Sequence, residues 1–340
     1  MAPPLALRGW TRAVSVVVAA TVAVAMAAGA VAAEETAATA ATTNGTASGG
    51  ASAGETLGEA AVRRKVIPTG GRRWPDIALR RSASADPRHA AREHWPYEQI
   101  RADHRWKTLS GGAEAIYHGA GQMLTGSEPW LSSRAAGWQT HGWVASSKDH
   151  LHPDKGGVRA YAVSLYDQRD EWEVKVVIAK ASRAPHPRAT ATLPAGFSVV
   201  GGGAKVHWKG LGSLLVDSYP SGTRSWTGSA KDHLKSDPST LTVYAIGLRR
   251  RDGKTPPIRI KQQTFERAAH PSGTVYTTPG WGLLGGGASV SKGGLGNMLV
   301  SLVPAANGRS FRAGAKDHLK SDGQRITVYL IEMKGAVQWQ

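Results

Sequence analysis

Lysine, aspartate and histidine follow one another three times in this chain, each time ahead of a leucine: Lys148-Asp149-His150-Leu151, Lys231-Asp232-His233-Leu234 and Lys316-Asp317-His318-Leu319. No other cluster of ionisable residues recurs. In an extended strand successive side chains alternate faces, so lysine and histidine share one face and aspartate takes the other. Trp226 lies an odd number of residues before Lys231 and shares the aspartate face. Two arrangements follow. In the structural one, Trp226 and Asp232 point inward, Asp232 accepts backbone N–H bonds near a strand end, and Lys231 and His233 stay in solvent. A buried carboxylate needs such partners, because burying an unpaired charge is costly. In the functional one, Lys148 with His150, Lys231 with His233 and Lys316 with His318 line an exposed edge as three equivalent sites. Lysine would attract an anionic group, histidine would hydrogen-bond or gain charge in mild acid, and three copies would supply avidity for a repetitive polymer.

Other chemistries fit less well. A glycoside hydrolase usually sets two carboxylates across the scissile bond, and only Asp149, Asp232 and Asp317 recur, one per copy. A lyase for uronic acids could use a Lys, His or Tyr base, with the first copy, around Trp130, Trp138 and His141, as the place for one grafted site. Gly201-Gly202-Gly203 lacks the following Gly-Lys-Ser/Thr of a phosphate loop and reads as a bulge or a close approach of sheets. The chain has no cysteine, which excludes thiolate catalysis and cysteine-ligated zinc. His152 pairs with His150 in the first copy alone, so no metal and no cofactor is expected. Tryptophan outnumbers phenylalanine, 12 to 3. Trp106, Trp143, Trp226 and Trp281 sit at repeated positions and read as core. Trp130, Trp138 and Trp208 do not, and are the candidates for stacking on a ligand.

These residues must be held by elements, and the elements come from a repeat. Gly201-Gly202-Gly203-Ala204 returns as Gly285-Gly286-Gly287-Ala288, and Gly210-Leu211-Gly212 as Gly294-Leu295-Gly296, both at an offset of 84. Ser110-Gly111-Gly112-Ala113 and Gly119-Ala120-Gly121 are the worn equivalents in the first copy. Trp143, Trp226 and Phe311 each precede the motif lysine by five residues, and Tyr161, Tyr244 and Tyr329 each follow it by thirteen. Val174 to Ala179, Leu241 to Leu248 and Ile326 to Ile331 are rich in Val, Ile, Thr and Tyr, and Gly and Pro punctuate the chain at short intervals. The expectation is an all-β fold of three tandem repeats over 92–170, 171–254 and 255–340. The repeats would form either one pseudo-threefold, β-prism-like body or three small sandwiches. Strand-like linkers at Glu171–Ala181 and Ile258–Phe265 favour the single body. About eight extra residues in the first copy, including Trp130 and Trp138, predict a longer loop.

Ahead of the repeats, Arg8 and Arg12, an apolar run to about Ala28 and Ala30-Val31-Ala32 have the form of an export signal over 1–32. Residues 33–91 read as a disordered Ala/Thr/Gly linker with a basic segment, in which Trp74 to Leu79 could form a short strand. The formal charge of +17 draws a chain to polyanions without choosing among them. The expectation is a secreted protein with no membrane span. It would bind a glycan or an anionic polysaccharide or cell-wall polymer, and nucleic acid only non-specifically.

The run of Gly201–Gly203, Ser218-Tyr219-Pro220, Trp226 and Thr242–Ile246 resembles a repeat in secreted proteins of high-GC Gram-positive bacteria, many of which carry cysteines absent here. That resemblance implies export and assigns no catalytic residue. The threefold count is similar to β-prism proteins such as vitelline-membrane-type folds and jacalin-like lectins, a likeness of architecture alone.

Overall fold

The computed structural model describes residues 77–84, 92–135, 137–291, 294–335 and 337–339. The expected export signal and most of the expected linker lie outside them. The described residues contain strands and no helix.

Each copy supplies six strands. The first gives β1 (Ile77–Ala83), β2 (Tyr97–Arg101), β3 (Trp106–Ile116), β4 (Met123–Arg134), β5 (Gly137–Lys148) and β6 (Gly157–Tyr166). The second gives β7 (Trp172–Ala184), β8 (Arg188–Thr192), β9 (Ser198–His207), β10 (Leu214–Gly222), β11 (Ser225–Lys231) and β12 (Ser239–Arg250). The third gives β13 (Ile258–Ala268), β14 (Ser272–Tyr276), β15 (Trp281–Val290), β16 (Met298–Pro304), β17 (Ser310–Lys316) and β18 (Gln324–Lys334), and β19 (Val337–Trp339) follows. Both strand-like linkers are strands. The first copy begins earlier than the sequence indicates, because part of the expected linker is β1.

The copies interlock. The sheets run β2-β5-β4-β9-β12-β7, β13-β18-β15-β10-β11-β8 and β14-β17-β16-β3-β6-β1-β19. Every copy therefore places its first, third and sixth strands in one sheet and its second, fourth and fifth in another. Three separate sandwiches are ruled out, and the repeats form one body around a pseudo-threefold axis. The seams share one register: Ser127 opposite Ala204, Ser218 opposite Ala288 and Leu302 opposite Ala113. The last glycine of each run lets the strands meet there. A Cβ on Gly112, Gly203 or Gly287 would lie 2.0–2.2 Å from the carbonyl oxygen of Leu302, Ser127 or Ser218.

Matching positions keep matching surroundings. Trp106, Phe197 and Trp281 each lie under a guanidinium, from Arg80, Arg249 and Arg259 at 4.2, 4.5 and 4.0 Å. Arg249 pairs with Glu173 across β12 and β7, whereas Arg259 pairs with Glu332 across β13 and β18, so the ion pair is kept with its ends exchanged. Trp106 and Trp281 are only half buried, which corrects their reading as core.

One core pair changes as a unit. The Trp143 and Trp226 indoles donate to the Ser127 and Ser218 hydroxyls at 3.0 and 3.1 Å. The third copy has Phe311 and Leu302 at these positions, so ring donor and acceptor vanish together. Trp226→Phe is expected to destabilise the fold by about 2 kcal/mol, because the buried Ser218 hydroxyl loses its partner and the smaller ring leaves space. Adding Ser218→Leu should recover part of that loss. Urea unfolding of the four variants of this cycle measures the coupling, and strict additivity would contradict it.

The extra residues of the first copy extend a hairpin rather than forming a loop. Pairing continues from Leu131 opposite Thr140 to Arg134 opposite Gly137.

Candidate functional site

The three Lys-Asp-His-Leu segments converge where the copies meet. The imidazoles of His150, His233 and His318 form a triangle with ring centroids 5.4–5.5 Å apart. Each Nε2 faces the carbonyl oxygen of the next histidine: His150 to His233 at 2.7 Å, His233 to His318 at 2.7 Å and His318 to His150 at 2.6 Å. Each Nδ1 faces a loop carbonyl of the following copy, those of Leu211, Leu295 and Ala120. The lysines reach the same loops. The Lys148 ammonium donates to the carbonyls of Gly210, Leu211 and Gly212 at 2.7–2.9 Å, and that of Lys316 to Gly119, Ala120 and Gly121 at 2.6–3.1 Å. Lys231 donates to the Gly296 carbonyl. First copy binds second, second binds third and third binds first.

This geometry corrects both sequence readings of the motif. Lys148, His150, His233, Lys316 and His318 are 1–2% exposed and Lys231 is half buried, so none stands on an open edge. Strand alternation fails because β5, β11 and β17 end at the lysine. Beyond it the chain turns toward the axis, where the groups closing over the motif come from distant sequence. The aspartates do act as the structural reading expects. Asp149, Asp232 and Asp317 accept the N–H of Asp154, Asp237 and Asp322 at 2.8–3.2 Å. Burial pulls the ammonium groups of Lys148 and Lys316 down to about 8, so they remain charged at neutral pH. Burial, ahead of every other cause, also lowers the three imidazoles below the usual histidine value. The motif is a latch that closes the ring of repeats.

A ligand-accessible constellation lies elsewhere, on the outer face of the sheet joining the first two copies. The exposed large aromatic side chains among the described residues are Trp95, Tyr97, Trp138 and Tyr276, and all but Tyr276 belong to the first copy. Period-two alternation puts Tyr97, Gln99 and Arg101 of β2 outward, in register with Ser146, Val144 and Gly142 of β5, and Trp130 lies opposite Gly142. The Arg101 guanidinium stands 5.7 Å from the Trp130 ring centre, and the Lys205 ammonium 5.9 Å from that of Tyr97. Glu128 sits between them, taking Lys205 at 2.7 Å and the Tyr244 hydroxyl at 2.8 Å. Burial and the Glu128 carboxylate drive the Tyr244 phenol far above its ordinary value, so it stays protonated. Trp138 is near the end of the extended hairpin. Trp208 is half buried between Trp95, at 5.8 Å, and the Lys148 ammonium, at 4.3 Å.

The other seams carry related sets. Glu114 binds the Tyr161 hydroxyl and Arg312, and Asp217 binds Arg188 while Tyr219 stacks on Tyr329 at 4.9 Å. The repeated tyrosine was legible in the sequence. Its acid and base partners were not, since they occupy different strand positions in each copy. Among the described residues no cluster of His, Asp and Glu has the form of a metal site, and no helix is long and apolar enough to cross a membrane.

No protein-family model matches the chain, and no curated protein matches it. Among solved structures, one described as the triple jelly roll fold and turret assembly in an archaeal virus aligns at 9% identity. Its TM-score is 0.17 over 78% of this chain and 91% of that one, too slight a likeness to carry an argument.

Proposed function

We propose that the protein is an exported binding protein for an acidic glycan or wall polymer, and that its principal site is the outer sheet face bearing Tyr97, Arg101, Trp130 and Lys205. The observation behind this reading is the pairing of aromatic rings with cations on one sheet, in a chain of formal charge +17. Flat rings suit sugar faces, and the adjoining cations suit uronate or phosphate groups. Binding fits better than the alternative of a lyase or glycoside hydrolase in the first copy. Glu128 is neutralised by Lys205, and a phenol held protonated is a poor base.

Retention on immobilised anionic polysaccharides should weaken with salt. Tyr97→Ala and Trp130→Ala should each lower affinity about tenfold, while a triple alanine variant that also removes Trp138 should lose retention. Unchanged retention of that variant would remove this face from consideration. New reducing ends or unsaturated sugars in a polysaccharide digest would establish an enzyme instead.

A further inference from the structure

The latch carries a crown of exposed leucine side chains. The exposed leucines among the described residues are Leu151, Leu211, Leu234, Leu295 and Leu319, and all five lie at one end of the pseudo-threefold axis. Leu151, Leu234 and Leu319 directly follow the histidines of the triangle, and Leu211 and Leu295 supply carbonyls to it. Their exposures run from 38% to 52%.

The backbone beneath them is unfavourable for leucine. The N–H of His152, Lys235 and Lys320 donates to the carbonyl two residues back at 2.6–2.7 Å, so each leucine is the centre of a γ-turn. Its φ is +57° or +58°, a region that favours glycine. Such strain costs of order 1–3 kcal/mol per residue and concentrates where function requires it. All three copies nevertheless place leucine there.

Charge identifies the partner. Lys209, Lys235, Lys320 and Lys155 flank the leucines and are exposed. The nearby carboxylates of Asp154, Asp237 and Asp322 accept the N–H of Gly121, Gly212 and Gly296. The crown is thus apolar at its centre, and lysines are the most exposed charged groups at its rim, because those three carboxylates are half buried against the loops. A second copy docked crown to crown would oppose lysine to lysine. We infer that this apex docks on an anionic lipid surface, the leucines entering the acyl boundary and the lysines meeting head groups. The apex is distinct from the aromatic sheet face, so either reading can fail without the other.

The test is co-flotation of the full chain with phosphatidylcholine vesicles, with and without phosphatidylglycerol. The parent should float with the anionic vesicles alone, and less as salt rises. The Leu151→Gly/Leu234→Gly/Leu319→Gly variant relieves the positive-φ strain, so its melting temperature should stay within a few degrees of the parent's while vesicle affinity falls at least about a hundredfold. A Lys235→Gln/Lys320→Gln variant should bind more weakly and respond less to salt. No flotation of the parent, or undiminished binding by the folded glycine variant, overturns the inference. So does a lipid-independent dimer that the glycine variant abolishes, which would make the partner a second copy.

Discussion

Gly202→Ala is expected to lower stability by at least about 3 kcal/mol, equivalent to roughly ten degrees in melting temperature. A Cβ at Gly202 would lie 2.3 Å from Cδ2 of Trp226 and 2.4 Å from the carbonyl oxygen of Tyr244. The first atom belongs to a ring that is 1% exposed and tied to Ser218, and the second to the backbone of β12, paired on both sides. Neither can withdraw without opening a sheet. Gly111 and Gly286 face Trp143 and Phe311 in the same way, at 2.2 and 2.5 Å, so the effect should recur in all three copies. Trimming the ring with Trp226→Ala should not rescue Gly202→Ala, because the carbonyl clash remains. Gly222→Ala is the matched control, with its nearest neighbour, the Ser225 Cβ, at 4.0 Å. Thermal melts of the four variants check this, and equal melting temperatures for Gly202→Ala and Gly222→Ala would contradict the packing.

Stability is expected to fall steeply as pH drops below the ordinary histidine value of about 6.5. The imidazoles of His150, His233 and His318 are depressed, by burial first and by neighbouring positive groups as well. In acid the unfolded chain therefore binds protons that the folded chain refuses, and protonation favours unfolding. The stabilisation is fully present above the unfolded value and is lost as pH falls through and below it. Each ring that stays neutral in the fold contributes about 1.4 kcal/mol per pH unit over that window. Facing carbonyls oppose the shift, since each ring meets a carbonyl oxygen at both nitrogens and a neutral imidazole donates to only one of them. Two imidazolium ions about 5.5 Å apart repel by roughly 3 kcal/mol at an effective dielectric of 20, so successive protons are resisted. Acid loss at carboxylates occurs lower, since the Gly296 N–H holds Asp322 below the usual carboxylate range. Urea midpoints between pH 7.5 and 5 should fall for the parent and stay nearly level for a variant with all three histidines replaced by glutamine. Parallel curves would rule the triangle out as the cause.

Lys148 illustrates why the latch was invisible in the sequence. Its acceptors lie 62 to 64 residues away, and those of Lys316 lie 195 to 197 residues away. Period-two reasoning describes a strand and its faces, and it ends with β5, β11 and β17. Repeat equivalence placed Trp143 and Trp226 in the core, where they lie, but it placed Trp106 and Trp281 there as well, and those rings are only half buried. Period-two reasoning could not foresee that the eight-residue insertion would lengthen β4 and β5, since pairing depends on the partner across the hairpin.

The all-β class, the three copies and the aromatic and glycine positions they share are legible in the chain, because strand periodicity, turn residues and recurring spacings are local properties. The exchange of strands between copies, the burial of the Lys-Asp-His segments as a latch and the surfacing of the leucines as a crown emerge only in the folded molecule. Those outcomes depend on which backbone carbonyls meet each side chain when the ring of repeats closes, and such contacts join residues that no local pattern connects.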